Sequence, residues 1–381
     1  MDPTGYFDAN ATTPLCGEAK EAWLAAYGEH WQNASAPYPG GAGVRIRLES
    51  LREGLAGKLG CSPDEILFNS GATEGNNHVL REMARLCPEG KRVVVSSLEH
   101  SSVLEPARKF LGTRMQVLPA QLDGRADMAT FKEWLQNGGV FGFSLMAANN
   151  ESGVLQPWQD ALQLCLEHGV AFHCDAAQWV GKMPLEGLGV CHFLTASAHK
   201  FGGPKGCGFM KVSQALGGGA CIFGGGQENG LRAGTEDFPS VCAMMAALEA
   251  GHVIDSAPRD HFEGRLKGSV PGVVVLGGDV PRVPQTSRLV MPRHTNSRWI
   301  ARLAKMGFSV SSGSACSAGI DGGSEVPHSM GFPPEGQGRV LRVSGGHWTS
   351  PKDWADLAGA MESVWESLEA EGTSDGVVRI P

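Results

Sequence analysis

The chain has 381 residues, 42% of them hydrophobic and 19% charged, with a formal charge of −8. That length predicts about two domains with a large buried core, and the acidic balance gives no reason to expect nucleic acid or an anionic membrane as partner. No apolar run approaches the ~20 residues of a membrane-spanning helix, and the opening Met1-Asp-Pro-Thr-Gly-Tyr6 lacks the basic and apolar regions of a signal peptide.

From about residue 60 to 215, strand-like and helix-like stretches alternate. Residues 65–69, 92–96, 115–118 and 140–146 read as strands, and 73–86 as a helix. A helical stretch at 158–168 feeds strands at 170–174, 191–196 and 208–212. Short apolar strands separated by helices indicate an α/β fold with a mostly parallel sheet covered on both faces. A glycine-rich region, 217–234, and a helix through 241–248 follow. The chain holds 53 glycines, about twice the usual share, concentrated in such loops, which suggests backbone brought close to a ligand or another subunit. After about residue 255 the pattern changes to short strands at 272–276, 287–291 and 339–343, with helices at 296–305 and 351–371. The last begins with a Ser350 cap and Pro351 at the first helical position. This part reads as a smaller α+β domain.

The ten cysteines are scattered and form no CxxC pair, so neither a zinc knuckle nor a thioredoxin-like site is suggested. A reduced, cytoplasmic setting is expected.

The residues with chemical potential fall at strand ends. Lys200, in Thr195-Ala-Ser-Ala-His-Lys200, follows an apolar strand and is a candidate for a Schiff base. Asp175 closes another strand, and a carboxylate facing a pyridine nitrogen is the second group that pyridoxal phosphate (PLP) requires. Ser70-Gly-Ala-Thr-Glu74 lies where a strand turns into a helix, leaving the Ala72 and Thr73 N–H groups to face an anion; an ordinary helix cap fits the same residues. Glu99-His100 ends a strand, where the imidazole is placed to stack on a flat ring or relay protons. Asn150 is a donor for a phenolic oxygen, although Asn150-Glu-Ser-Gly153 also reads as a turn. Ser197 and His199 are candidates for phosphate contact. Cys316 sits in a run of small residues, Ser311–Gly319, and so looks available for reaction. Arg342, a charge inside an apolar strand, needs either a substrate carboxylate or an internal salt bridge.

These residues resemble the cysteine desulfurases, the NifS/IscS-like members of the class V aminotransferase superfamily. The matching segments are Ala11–Pro14, Ser70–Glu74, Glu99-His100, Asn149–Gly153, Asp175–Gln178, Ser197–Lys200, Arg232–Thr235 and Ser311–Cys316, together with Arg342. They cover nearly the whole chain in family order. The resemblance implies a PLP-dependent transferase fold of type I, with a mainly parallel seven-stranded sheet flanked by helices. Residues 15–250 are expected to form the large domain; 1–14 with 251–381 form the small one carrying the Cys316 loop. By the same resemblance Lys200 carries the cofactor, His100 stacks on its ring and Asp175 pairs with the ring nitrogen. Gln178 and Asn150 address the phenolic oxygen. Ala72, Thr73, Ser197 and His199 hold the phosphate, with Thr235 from the second subunit of a homodimer. Arg342 grips the carboxylate of L-cysteine, with Asn150 and Asn33 nearby. The implied reaction converts L-cysteine to L-alanine and leaves a persulfide on Cys316 for an acceptor or scaffold protein. No metal is implied. A selenocysteine lyase, a cystine or cysteine C–S lyase, and a catalytically idle binding subunit are the alternatives. The segment Asn33–Gly40 lacks a histidine common in the family, which leaves its part in substrate fit or docking open.

Overall fold

A computed structural model describes residues 3–313, 329, 336 and 338–372. The alternating stretches form β1 (Ile66–Asn69), β2 (Arg92–Ser96), β3 (Met115–Leu118), β4 (Val140–Ser144), β5 (Ala171–Asp175), β6 (Phe193–Ser197) and β7 (Gly208–Val212). They pair as one seven-stranded sheet in the order β1-β7-β6-β5-β4-β2-β3. The run from β3 to β6 is parallel, whereas β7 and β1 pair antiparallel at the other edge. The fold class is therefore the mainly parallel α/β sheet expected.

The period of two along each strand divides the core. In β2, Val93 and Val95 pack with Val79 and Met83 of α3 (Ala72–Leu86) and Val103 of α4 (Ser101–Leu111). Val94 between them joins a second cluster with Phe143, Phe172 and Trp158. That second face is covered by α1 (Gly17–Glu29), α2 (Pro39–Leu59), α5 (Met128–Gln136), α6 (Trp158–His168) and α7 (Phe238–Ala250). Both faces being apolar, the strands read as continuous hydrophobic runs rather than as alternating ones.

A second, antiparallel sheet follows, β10-β9-β8, made of β8 (Val274–Val275), β9 (Thr286–Val290) and β10 (Val340–Ser344). It packs with α8 (Ala257–Ser269), α9 (Asn296–Lys305) and α10 (Pro351–Ala370) around Phe262, Trp299, Leu341, Trp354 and Met361. Phe7, from the N-terminal segment, is part of this core. The Ser350 cap forms as expected: its hydroxyl accepts from Asp353 N, and the Asp353 carboxylate accepts from Ser350 N.

Two strands are shorter than the sequence suggests. Residues 140–146 stop pairing as a strand at Ser144 because the Met146 N–H turns to the Glu99 carboxyl. The stretch 272–276 reduces to Val274–Val275, since Gly272 adopts φ +87°, off the pleat.

Candidate active site

The parallel strands end on one side of the large sheet, where the loops can turn side chains toward a common ligand. A cavity of about 240 Å³ opens there. Lys200, Asp175, His100, Thr73, Ser197 and Arg342 all line it.

One wall is the turn from β1 into α3. Gly71 adopts φ +133°, and a Cβ on it would lie 2.9 Å from Ser197 Oγ, so both conformation and space require glycine. The Ala72 N–H does not stay open to an anion, contrary to the expectation from sequence. It donates to Ser197 Oγ at 2.7 Å, because β6 and β1 both flank β7 and their ends converge. Ser197 accepts there and keeps its own hydroxyl proton to give. Thr73, in the first turn of α3, lines the cavity.

Asp175, the last residue of β5, is buried with its carboxylate in place: Oδ2 accepts from Asn76 Nδ2 at 2.8 Å and Oδ1 from Ala177 N at 2.9 Å. His100 stands at the start of α4, and its Nδ1 accepts from Ser102 N at 3.1 Å, which fixes the ring. Burial pushes the imidazole below its ordinary pKa; Asp175 opposes this and Lys200 adds to it. Glu99 beside it is buried between the Met146 N–H and apolar neighbours. Burial, then the charge of Asp175, push its carboxyl well above the usual range.

Lys200 follows β6 on a single helical turn, Ala198–Lys200. Its Nζ donates to the carbonyls of Asn10 at 2.7 Å and Ala11 at 2.9 Å, so two backbone carbonyls aim the amine. His199, with Nδ1 on Thr12 Oγ1, is pushed down to about 4 by burial first and then by Lys200, Lys205 and Lys182.

Gln178 lines the cavity, yet both ends of its amide are engaged: Nε2 donates to Asn10 O and Oε1 accepts from Lys182 Nζ. The Nε2 group has a second N–H beyond the one given to the Asn10 carbonyl, and that is the donor left for a phenolic oxygen. Asn150 also lines the cavity, while its own carbonyl accepts from Asn10 Nδ2 and Arg342 Nη1. Arg342 combines the two readings of its sequence. It pairs with Asp8 at 2.6 Å and faces the cavity, and its Nε has no hydrogen-bond partner among the described residues.

Two expected site residues stand off the cavity of this chain. Asn33 is exposed, outside the cavity, with its Oδ1 accepting from Ser35 N; a short polar side chain there closes its own turn. Thr235 is likewise exposed and off the cavity of its own chain. Cys316 lies outside the described residues.

Sequence reasoning missed Asn10, Asn76 and Lys182. Asn76 carried a signal, a polar residue on the inward face of an amphipathic helix. Asn10 and Lys182 carried none, because their role is to hold Lys200 and Gln178, which are remote or unpatterned in sequence. Lys182 is held well below the ordinary lysine value by burial first, then by Lys200 and Arg342.

The residues fit PLP. An amine, a fixed carboxylate and a flat imidazole border one cavity, and a hydroxyl wall requiring glycine stands where a phosphate would be cradled.

Comparison with known proteins places the chain in a family. Residues 5–350 match the family model for class V aminotransferases, a PLP-dependent family. A cysteine desulfurase IscS of Dictyoglomus turgidum is 33% identical over 375 residues, 95% of each chain. A solved NifS-like protein superposes with a TM-score of 0.84 at 27% identity, over 96% of this chain and 99% of its own. SspA, solved in complex with cysteine, gives 0.79 at 28% identity, over 90% of this chain and 98% of its own. With its reactive side chains at the strand ends and its relatives matched from end to end, the chain belongs to the class V aminotransferases, in the cysteine desulfurase branch.

Proposed function

We propose that this chain removes sulfur from L-cysteine, leaving L-alanine, with PLP bound to Lys200 and Cys316 as the first sulfur carrier. The convergence of Lys200, Asp175, His100 and Arg342 on one cavity carries this reading.

When bound, PLP supplies an electron sink for charge that develops at the substrate Cα and Cβ. The protein's part is to hold and move protons around it. Asp175, fixed by Asn76 and the Ala177 N–H, presents a carboxylate to a protonated ring nitrogen. His100, kept neutral by burial, offers a flat face. Thr73, Ser197 and His199 contact the phosphate, and Ala72 contributes by fixing Ser197. Gln178 and Asn150 border the phenolic oxygen.

Arg342, which lines the cavity, binds the substrate carboxylate through its guanidinium while Asp8 orients it. Lys200 Nζ, aimed by the Asn10 and Ala11 carbonyls, takes the Cα proton and returns one later. The Cys316 thiolate attacks the substrate sulfur: an S–S bond forms, the Cβ–S bond breaks, and the electron pair stays with the carbon fragment. Cysteine plus thiol thus becomes alanine plus persulfide without an external oxidant.

The exposed Thr235, off its own cavity, supports a homodimer in which it serves the neighbouring subunit's phosphate site. The nine cysteines among the described residues are all free, which fits a reducing, cytoplasmic setting, and no helix among the described residues is long and apolar enough to cross a membrane. The persulfide passes to an acceptor protein, as in iron–sulfur cluster assembly or tRNA thiolation.

The test is alanine formation from L-cysteine with a thiol, by wild type and Cys316→Ala. Loss in the variant, with one added sulfur atom on Cys316 of the wild type by mass spectrometry, is expected. Full turnover by Cys316→Ala, or sulfide from cystine but not cysteine, would instead place the chain among the C–S lyases.

A further inference from the structure

A second group of reactive side chains lies beside the Lys200 turn and takes no part in the chemistry above. Cys16 precedes α1 and is buried, and its N–H donates to Gly202 O at 2.9 Å, two residues past Lys200. Glu18 stands in the first turn of α1, exposed. His252 follows the end of α7 by two residues, after Gly251 turns the chain at φ +58°. Cys16 and Glu18 are two residues apart and His252 comes from a distant segment; together they bring one sulfur, one carboxylate oxygen and one ring nitrogen within 4.8 Å of one another.

The bland reading is a thiol–carboxylate hydrogen bond beside a packed imidazole, and it leaves one atom unexplained. His252 Nε2 is shielded from solvent with no hydrogen-bond partner among the described residues, a costly state for a polar nitrogen. Packing around the ring is tight. His347 stacks on it with centroids 3.6 Å apart and planes at 9°, and Trp348 meets His347 edge-on at 5.1 Å. The stack holds the ring without using its in-plane lone pair.

Glu18 brings the one carboxylate of the group, on the exposed side of the first turn of α1.

We propose that Cys16, Glu18 and His252 form a binding site for a borderline-soft divalent cation of the zinc class, with a fourth position open to water. The donor set of thiolate sulfur, imidazole nitrogen and carboxylate oxygen is the one such ions take, whereas magnesium and calcium favour all-oxygen shells. Binding expels the Cys16 thiol proton to solvent, so affinity rises with pH. A small cavity bordered by His252, His347, Lys182 and Lys200 lies alongside. The cation would therefore tie the start of α1 to the segment after α7, behind the turn that carries the reactive lysine.

The experiment uses the full chain with Cys316→Ala, so that the sulfur carrier cannot supply the thiolate. The reduced protein is dialysed against micromolar Zn²⁺ and its metal counted, then titrated with Co²⁺ and read by the visible absorption of tetrahedral thiolate coordination. One equivalent of Zn²⁺ and a saturating Co²⁺ band are expected. Both should weaken about tenfold or more when Cys16→Ala or His252→Gln is added. His252 lies on a partly exposed segment, so His252→Gln tests the site even if Cys16→Ala disturbs folding; circular dichroism checks each variant. Absence of bound metal, or binding undiminished in His252→Gln, overturns the proposal.

Discussion

The two sheets place their charges differently. In the large sheet the reactive groups stand at or just past strand ends: Asp175 closes β5, Ser197 closes β6, and Lys200 follows one turn later. In the small sheet two arginines stand in mid-strand. Arg288 of β9 and Arg342 of β10 face each other in register, each about 1% exposed. A strand end can turn its side chain toward a ligand and has helix starts close by; a mid-strand charge is held in the core and must find a counter-ion there. Each arginine finds one outside its own sheet, Arg288 in Glu151 at 2.7 Å and Arg342 in Asp8 at 2.6 Å. The small sheet is thereby pinned to the loop after β4 and to the N-terminal segment. Arg342 belongs to both patterns, since it pairs internally and also borders the cavity.

The contrast breaks most sharply at Lys200. Lys200→Ala removes the group that moves the Cα proton, and alanine formation from L-cysteine should fall by ~10²–10⁴-fold or more while the fold holds. Near-wild-type turnover would mean that the strand-end lysine is not the working amine.

The mid-strand pair should fail in stability rather than in chemistry. Glu151→Leu strands the Arg288 charge in the core and should cost about 3–5 kcal/mol in denaturant unfolding; adding Arg288→Leu should return most of that. A double variant as unstable as Glu151→Leu alone would rule out the ion pair as the cause.

Arg342 should show a mixed result. Arg342→Lys keeps the charge beside Asp8 but loses the planar fork, so KM for L-cysteine should rise about tenfold with kcat less affected. Equal loss in kcat alone would assign Arg342 to positioning only.

The smallest effect is on acid stability. Burial pushes His173, within β5, and His199, at the strand-end turn, down to about 4 from the ordinary 6.5. The unfolded chain therefore binds more protons than the folded one between those values, and stability should fall as pH drops from about 6.5 toward 4. Urea midpoints at pH 7 and pH 5 check this; a flat profile would contradict the burial of both rings.

Much of the fold was readable in advance because the signals are local. Strand and helix periods marked β2, β3, β7, α6 and α9 at their observed bounds, and the Ser350 cap sits where Ser-Pro at a helix start predicts. The position of Asp175 at a strand end and of Lys200 just past one could be read in the same way, whereas His100, expected to end a strand, stands four residues past β2 as the cap of α4. The partners could not. Ala72 N–H meets Ser197 Oγ across 125 positions, and Lys200 is aimed by carbonyls 189 and 190 positions away. Asn33 reads as a site residue only by its neighbours in sequence, and the folded chain leaves it on the surface.

Side-chain periodicity, caps and the residues at strand ends were determined by the sequence itself, since each depends on atoms a few residues apart. Tertiary structure alone decided which of those ends share a cavity, which arginine meets which carboxylate, and how Cys16, Glu18 and His252 come together. Those contacts depend on strand order and on closure between distant segments, which no local pattern encodes.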